Sequence, residues 1–127
     1  MYKITFCLRR RPELSLADFH DYWLNRHAPL VRAHQPALRM ARYVQVHAME
    51  TILSIPMQKV RNAPEPFDGV AELWWNSLED LEASAADPAA REAGRILLED
   101  EAKFIDLPRS PLWFGQEHVI IGTEHHD

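Results

Sequence analysis

A histidine near the centre of an apolar helix face is the first feature of this chain that could do chemistry. Setting residues about 100° apart places Leu16, Phe19, Trp23, His27 and Leu30 in one stripe, with His20 and Val31 along its edge. Tyr22 and Arg26 flank the stripe, while Asp21, Asn25 and Arg32 point toward water. Burying an unpaired polar ring costs on the order of a few kcal/mol, so His27 must meet a partner, a water or a ligand. An imidazole titrates near neutral pH and so suits proton transfer. The competing reading is a core histidine satisfied by a backbone carbonyl.

Partners for His27 come from two strand-like segments. Tyr43, Gln45 and His47 share one face of the first, and Asp68, Glu72 and Trp74 share one face of the second. If these faces meet the helix, Tyr43, His47 or Glu72 can orient His27 or act as the opposite acid–base group. Trp23, Trp74 and Trp113 then supply stacking walls, and His20 and Gln45 supply polar contacts to a substrate. The opposite register puts Val44, Val46, Ala71 and Leu73 under the helix and sends the polar set into a cleft between subunits. Both registers remain open.

Metal chemistry is not expected. No His-x-x-x-His, Cys-x-x-Cys or Glu-x-x-His pair falls within an element, and His125 and His126 lie in a polar tail expected to fray over Thr123 to Asp127. A haem would need His27, His47 or His118 as its proximal ligand, and no spacing selects one. Gly69, Gly94, Gly115 and Gly122 are scattered, which removes any Gly-rich phosphate loop. No cofactor is therefore expected. Cys7 sits within an apolar alternation and reads as a small buried hydrophobe.

The elements that must hold these residues follow from their patterning. Tyr2, Ile4, Phe6 and Leu8 alternate with Lys3, Thr5, Cys7 and Arg9, a half-buried strand that Pro12 ends. Ser15-Leu16-Ala17-Asp18 then opens a helix with a capping-box-like start, expected to run to about Ala33. Met40 to Glu50 and Phe67 to Trp75 read as the second and third strands. Between them, Thr51 to Pro66 reads as a long connection and a candidate lid. Ser77-Leu78-Glu79-Asp80 repeats the cap logic of the first helix. Asp87-Pro88 interrupts that second helix, and a fresh one starts there and runs to about Ile105. Leu112 to Ile121 is the last expected strand.

The resulting order, βαββαβ, predicts a single α+β domain over residues 1–127 with a ferredoxin-like arrangement, both helices lying on one face of an antiparallel sheet. The other face needs a cover, which a symmetric homodimer supplies, giving a dimeric α+β barrel. Hydrophobic residues at 46% and charged residues at 26% fit an ordinary folded domain. A net charge of −5 argues against nucleic acid as a partner. With no signal-peptide pattern and no long apolar span, no membrane association is expected and a cytoplasmic location follows.

Phe19-His20-Asp21-Tyr22-Trp23 followed by His27-Ala28-Pro29-Leu30 resembles the first-helix pattern of the EthD family of dimeric α+β barrel proteins. Tyr43-Val44-Gln45, Asp68 to Trp74, Asp100 to Asp106 and Glu117 to Ile120 are similar to further blocks of that family, and the Thr51 to Pro66 connection is where the resemblance is least. The resemblance implies the ferredoxin-like fold, a homodimer and His27 as the residue to test. It also implies chemistry such as dehydration or decarboxylation, attributed to members in ether degradation and aromatic polyketide tailoring. The leading expectation is a cofactor-independent enzyme using acid–base chemistry on a small aromatic or cyclic organic ligand, as a lyase, dehydratase, decarboxylase or isomerase. A cofactor-free monooxygenase and a non-catalytic ligand-binding dimer are the alternatives.

Overall fold

Each strand ends where its partner does. In the computed structural model, which describes residues 1–123, β1 (Tyr2–Leu8), β2 (Arg42–His47), β3 (Gly69–Trp75) and β4 (Leu112–Gln116) form one four-stranded antiparallel sheet in the order β2-β3-β1-β4. The last strand was expected to continue to Ile121. It stops at Gln116 because that residue pairs with Tyr2, where β1 begins, and the Glu117 amide then donates to the Met1 carbonyl at 3.2 Å. β2 and β3 are likewise shorter than Met40 to Glu50 and Phe67 to Trp75, their ladder running only from Arg42 opposite Trp74 to His47 opposite Gly69.

The helix starts are set by side-chain caps. Ser15 accepts from the Asp18 amide at the head of α1 (Leu16–Tyr22), and Ser77 accepts from the Asp80 amide at the head of α4 (Leu78–Ala86), each at 3.0 Å. Asp87 caps α5 (Pro88–Glu101), with Pro88 in the first turn where its missing N–H costs nothing. α5 ends at Glu101, short of the expected Ile105.

The first helix is longer than expected and is not one regular helix. α1 passes through a π-helical turn (Trp23–His27) into α2 (Ala28–Leu38). Pro36 does not stop α2, because it sits exposed in the last turn, where the carbonyl it leaves unbonded lies on an exposed stretch. Arg39, in the left-handed region with φ 56°, closes the helix. The Thr51 to Pro66 connection carries a short helix, α3 (Ser54–Lys59), with Ile52, Leu53 and Val60 strongly exposed around it.

The helices cover the sheet face that carries Phe6, Leu8 and Ala71, and these pack with Phe19, Trp23 and Phe104 into the main core. A second cluster joins Val31, Met40, Trp75 and Leu97. The opposite face leaves Val46 47% and Trp113 51% exposed. This is the α+β, ferredoxin-like arrangement that the element order predicts. Among the described residues no helix is long and apolar enough to cross a membrane. The tail histidines His125 and His126 lie outside the described residues.

Candidate active site

The π turn decides where His27 points. Residues four apart drift by about 40° per step in a regular α-helix, so Phe19, Trp23, His27 and Val31 could not all face the sheet. The wider turn absorbs that drift, with the Ala28 amide donating to the Trp23 carbonyl five residues back. All four are buried. The same carbonyl accepts from Gln45 Nε2 at 2.9 Å, which ties the turn to β2.

His27 has a carboxylate partner from α5. Its Nδ1–H donates to Asp100 Oδ2 at 2.7 Å, and Tyr22 donates its hydroxyl proton to Asp100 Oδ1 at 2.6 Å. Lys103 stands 3.7 Å from the same carboxylate. Burial works to raise the Asp100 pKa, but the hydrogen bonds from Tyr22 and His27, with the charge of Lys103, bring it below the usual carboxylate value. Burial lowers the His27 pKa and outweighs the upward pull of Asp100. The pair at neutral pH is thus a neutral imidazole held by a carboxylate, its Nδ1 engaged and its Nε2 left for a ligand. Phe104 packs against the ring with centroids 5.1 Å apart.

A cavity of about 350 Å³ lies between this helix face and the sheet. Its walls are largely apolar, and its polar groups are His27, Tyr43, Glu101 and Ser110. That volume falls at the small end of the range for organic ligands. Tyr43 accepts from Gln45 Nε2 at 2.9 Å, which leaves its own hydroxyl proton to donate, and burial raises its pKa. Glu101 is raised to about 7, by burial first and by the adjacent negative Asp100 second.

The strand registers combine both sequence readings. Tyr43 pairs with Leu73 and Gln45 with Ala71, so the polar set of β2 faces the helices together with the apolar set of β3. Glu72 and Trp74 therefore stand on the opposite face and do not meet His27. Glu72 pairs there with Lys3 at 2.6 Å, while Trp74 lies under Lys3 and Arg42 and donates to Glu117 Oε2 at 3.2 Å. Trp113 is also on that face, because it pairs with Thr5 while its neighbour Leu112 turns into the cavity.

His47 and His20 stand beside the cavity without lining it. His47 stacks on Trp23, centroids 4.6 Å apart and planes 10° apart, and its Nε2–H donates to Gln45 Oε1 at 2.7 Å. His20 lies 4.5 Å from the His47 ring, and its Nε2–H donates to the Asp68 carbonyl at 2.8 Å. Of the residues singled out in the sequence, His27, Trp23 and Tyr43 line the cavity; Gln45, His47 and His20 buttress it from one side.

Asp100 and Glu101 were not singled out for chemistry, and they are the carboxylates the fold brings to His27 and its cavity. A signal was present: Ala93, Leu97 and Asp100 follow one another at helical spacing on the buried stripe of α5, so an acid interrupts an apolar face as His27 does. None of the residues 51–66 lines the cavity. Among the described residues no three His, Cys, Asp or Glu side chains are grouped as a metal site requires. Cys7 is buried, with a thiol pKa raised by that burial.

The EthD domain model matches residues 11–108. A decarboxylase of Cryptosporiopsis is 22% identical over 126 residues, a match that takes in 96% of this chain and 84% of that protein. An EthD-family protein of Bacillus halodurans, known from its crystal structure, has a TM-score of 0.59 at 19% identity, over 93% of this chain and all of that one (100%). A dimeric protein of ferredoxin-like fold from Bacteroides fragilis has a TM-score of 0.56 at 11% identity, over 91% of this chain and 95% of its own.

Proposed function

This chain belongs to the EthD family, and from that premise we propose that it is a cofactor-independent enzyme, a lyase or isomerase, performing acid–base chemistry on a small aromatic or cyclic organic substrate. The observation that carries this reading is the buried His27–Asp100 pair opening onto an apolar cavity. Asp100 fixes the tautomer, so His27 Nε2 is the atom that takes a proton, and the imidazolium that forms is stabilised by the carboxylate 2.7 Å from Nδ1. Because burial keeps the free imidazole neutral at pH 7, the base is ready without prior deprotonation. Trp23, Tyr43 and Phe6 offer ring surfaces for stacking. The decarboxylase relative supports a lyase: loss of carbon dioxide from a substrate carboxylate leaves its electron pair on carbon, where a proton held by the protonated His27 would be placed.

A homodimer belongs to the same reading. The half-exposed Val46 and Trp113 on the uncovered sheet face suit a second copy, and the Bacteroides fragilis neighbour is a dimer.

The test is to incubate wild type and folded His27→Ala with a pool of aromatic and lactone compounds in cofactor-free buffer, with and without oxygen, and to follow masses and retention times. Loss of water or carbon dioxide, or a shifted retention time, in wild type alone is the expected result. A gain of oxygen that needs air would make the protein an oxygenase. Equal conversion by both proteins would reduce His27 to a structural role, and retention of a compound without conversion would leave a binding protein.

A further inference from the structure

Two consecutive carboxylates at the end of α5 do different things. Asp100 accepts one hydrogen bond from His27 and one from Tyr22, while Glu101, one residue further round the helix, lines the cavity with His27, Tyr43 and Ser110. Among the described residues the Glu101 carboxylate makes no hydrogen bond and no ion pair. Its neighbours in the wall are Leu97, Leu98 and Ile105. The charged groups near it offer nothing to hold an anion: Asp100 has the same sign, Lys103 is directed to Asp100 at 3.7 Å, and Tyr43 and His27 are neutral.

A carboxyl group that faces an apolar cavity without a partner is best satisfied as the acid, with its O–H donated to a ligand. We propose that Glu101 is the second catalytic residue of this cavity, giving its proton to a ligand carbonyl oxygen while His27 Nε2 removes a proton from the carbon beside that carbonyl. The inference rests on the acid–base reading of the His27 site and names its substrate class: a compact, uncharged, largely apolar cyclic carbonyl compound with an acidic C–H.

The step balances. The C–H bond breaks, its electron pair becomes the new C=C bond, and the carbonyl π pair takes the Glu101 proton to make an enol. His27 ends as imidazolium and Glu101 as carboxylate, and return of each proton, at the same or another carbon, resets the site. Asp100, His27 and Glu101 together carry one negative charge before the step and one after it. No net charge is created in the apolar cavity, which is where such a cost would be greatest. A Glu101 pKa near 7, set by burial and Asp100, matches a group that must both give and regain a proton at neutral pH.

β-Tetralone, a bicyclic ketone with acidic C–H groups, reports this step through exchange of those hydrogens in heavy water, followed by proton NMR. Wild type, Glu101→Gln and His27→Gln are compared, each first shown to be folded by circular dichroism. Wild type is expected to exchange, and His27→Gln to match buffer. Wild type is expected to slow above about pH 7 as Glu101 ionises; Glu101→Gln should lose about 100-fold in kcat, change KM by less than about twofold, and lack that fall.

If Glu101→Gln exchanges like wild type with that fall intact while His27→Gln is inactive, Glu101 has no catalytic role and the His27 site stands. Exchange by wild type no faster than by His27→Gln overturns the acid–base reading and this step with it. The carbon-13 signal of the labelled Glu101 carboxyl then decides the contact: a shift on adding β-tetralone supports the donated hydrogen bond, and an unmoved signal overturns that as well.

Discussion

In the proposed chemistry His27 acts as a base only while its ring is neutral and its Nε2 is free, and Asp100 bears on both conditions. The carboxylate fixes the tautomer by accepting from Nδ1, and it also pulls the imidazole pKa upward against the larger effect of burial. Asp100→Asn should therefore lower the His27 pKa further and, by allowing the amide to donate to Nδ1, put the ring proton on Nε2. The expected outcome is a loss of about 100-fold or more in kcat, with the His27 titration seen by nitrogen-15 NMR moving to lower pH than in wild type. An unchanged titration would mean that the pair does not form. The two shifted groups of the site also act on stability in opposite senses. His27, depressed below 6.5, stabilises the fold fully above that value and its contribution is lost as pH falls. Glu101, raised from 4.5 to about 7, stabilises the fold below its unfolded value and loses that contribution as pH rises through about 7. Urea unfolding of wild type and Glu101→Gln at several pH values should show wild type losing up to about 3 kcal/mol relative to the variant as pH climbs across that window. Parallel curves would show that Glu101 ionises as an exposed glutamate does.

At the scale of elements, the site depends on a π turn and a glycine that fit each other. The turn swings Trp23 onto β3, where a Cβ at Gly69 would stand 2.4 Å from the Trp23 ring and 2.9 Å from the Val46 carbonyl. Gly69→Ala should therefore destabilise the protein by about 1–3 kcal/mol, measured by chemical unfolding. A double-mutant cycle with Trp23→Leu should recover part of that cost, whereas strictly additive effects would show that the ring is not what Gly69 accommodates. The caps at Ser15, Ser77 and Asp87 were legible in the sequence because they are local: a hydroxyl or carboxylate and an amide two or three residues on. The face of His27 was legible as well, since its neighbours at helical spacing are apolar. The π turn was not. A wheel of uniform step sets Leu30 in the stripe and Val31 at its edge, whereas the structure buries Val31 and leaves Leu30 partly exposed. Nor could the pairing of β2 with β3 be read. Each strand showed a polar and an apolar face, but which faces coincide depends on a one-residue offset across the Thr51 to Pro66 connection, and such an offset turns every side chain over. Tyr43 lines the cavity with His27 and Glu72 does not, for that reason.

For the whole molecule, the two faces of the sheet have separate tasks. The helix-covered face holds the cavity, and there Asp100 accepts from His27 and Tyr22 while Phe104 packs on the imidazole. The other face carries a half-buried cluster in which Lys3, Glu72, Glu117 and Arg42 surround Trp74, with Val46 and Trp113 exposed on the two edge strands. A face of this kind, apolar in part and with Lys3 already paired to Glu72 and Glu117, loses little on being covered by a second copy. Val46→Glu combined with Trp113→Glu would place two unpaired charges on the proposed interface. Sedimentation equilibrium should then give the monomer mass of 14.8 kDa for the variant and twice that for wild type. Because His27 and Asp100 lie on the helix-covered face, away from the proposed interface, the monomeric variant should keep the low pKa of His27. An ordinary histidine titration in that variant would instead mean that the dimer holds the site together, through the shared sheet that separates the two faces.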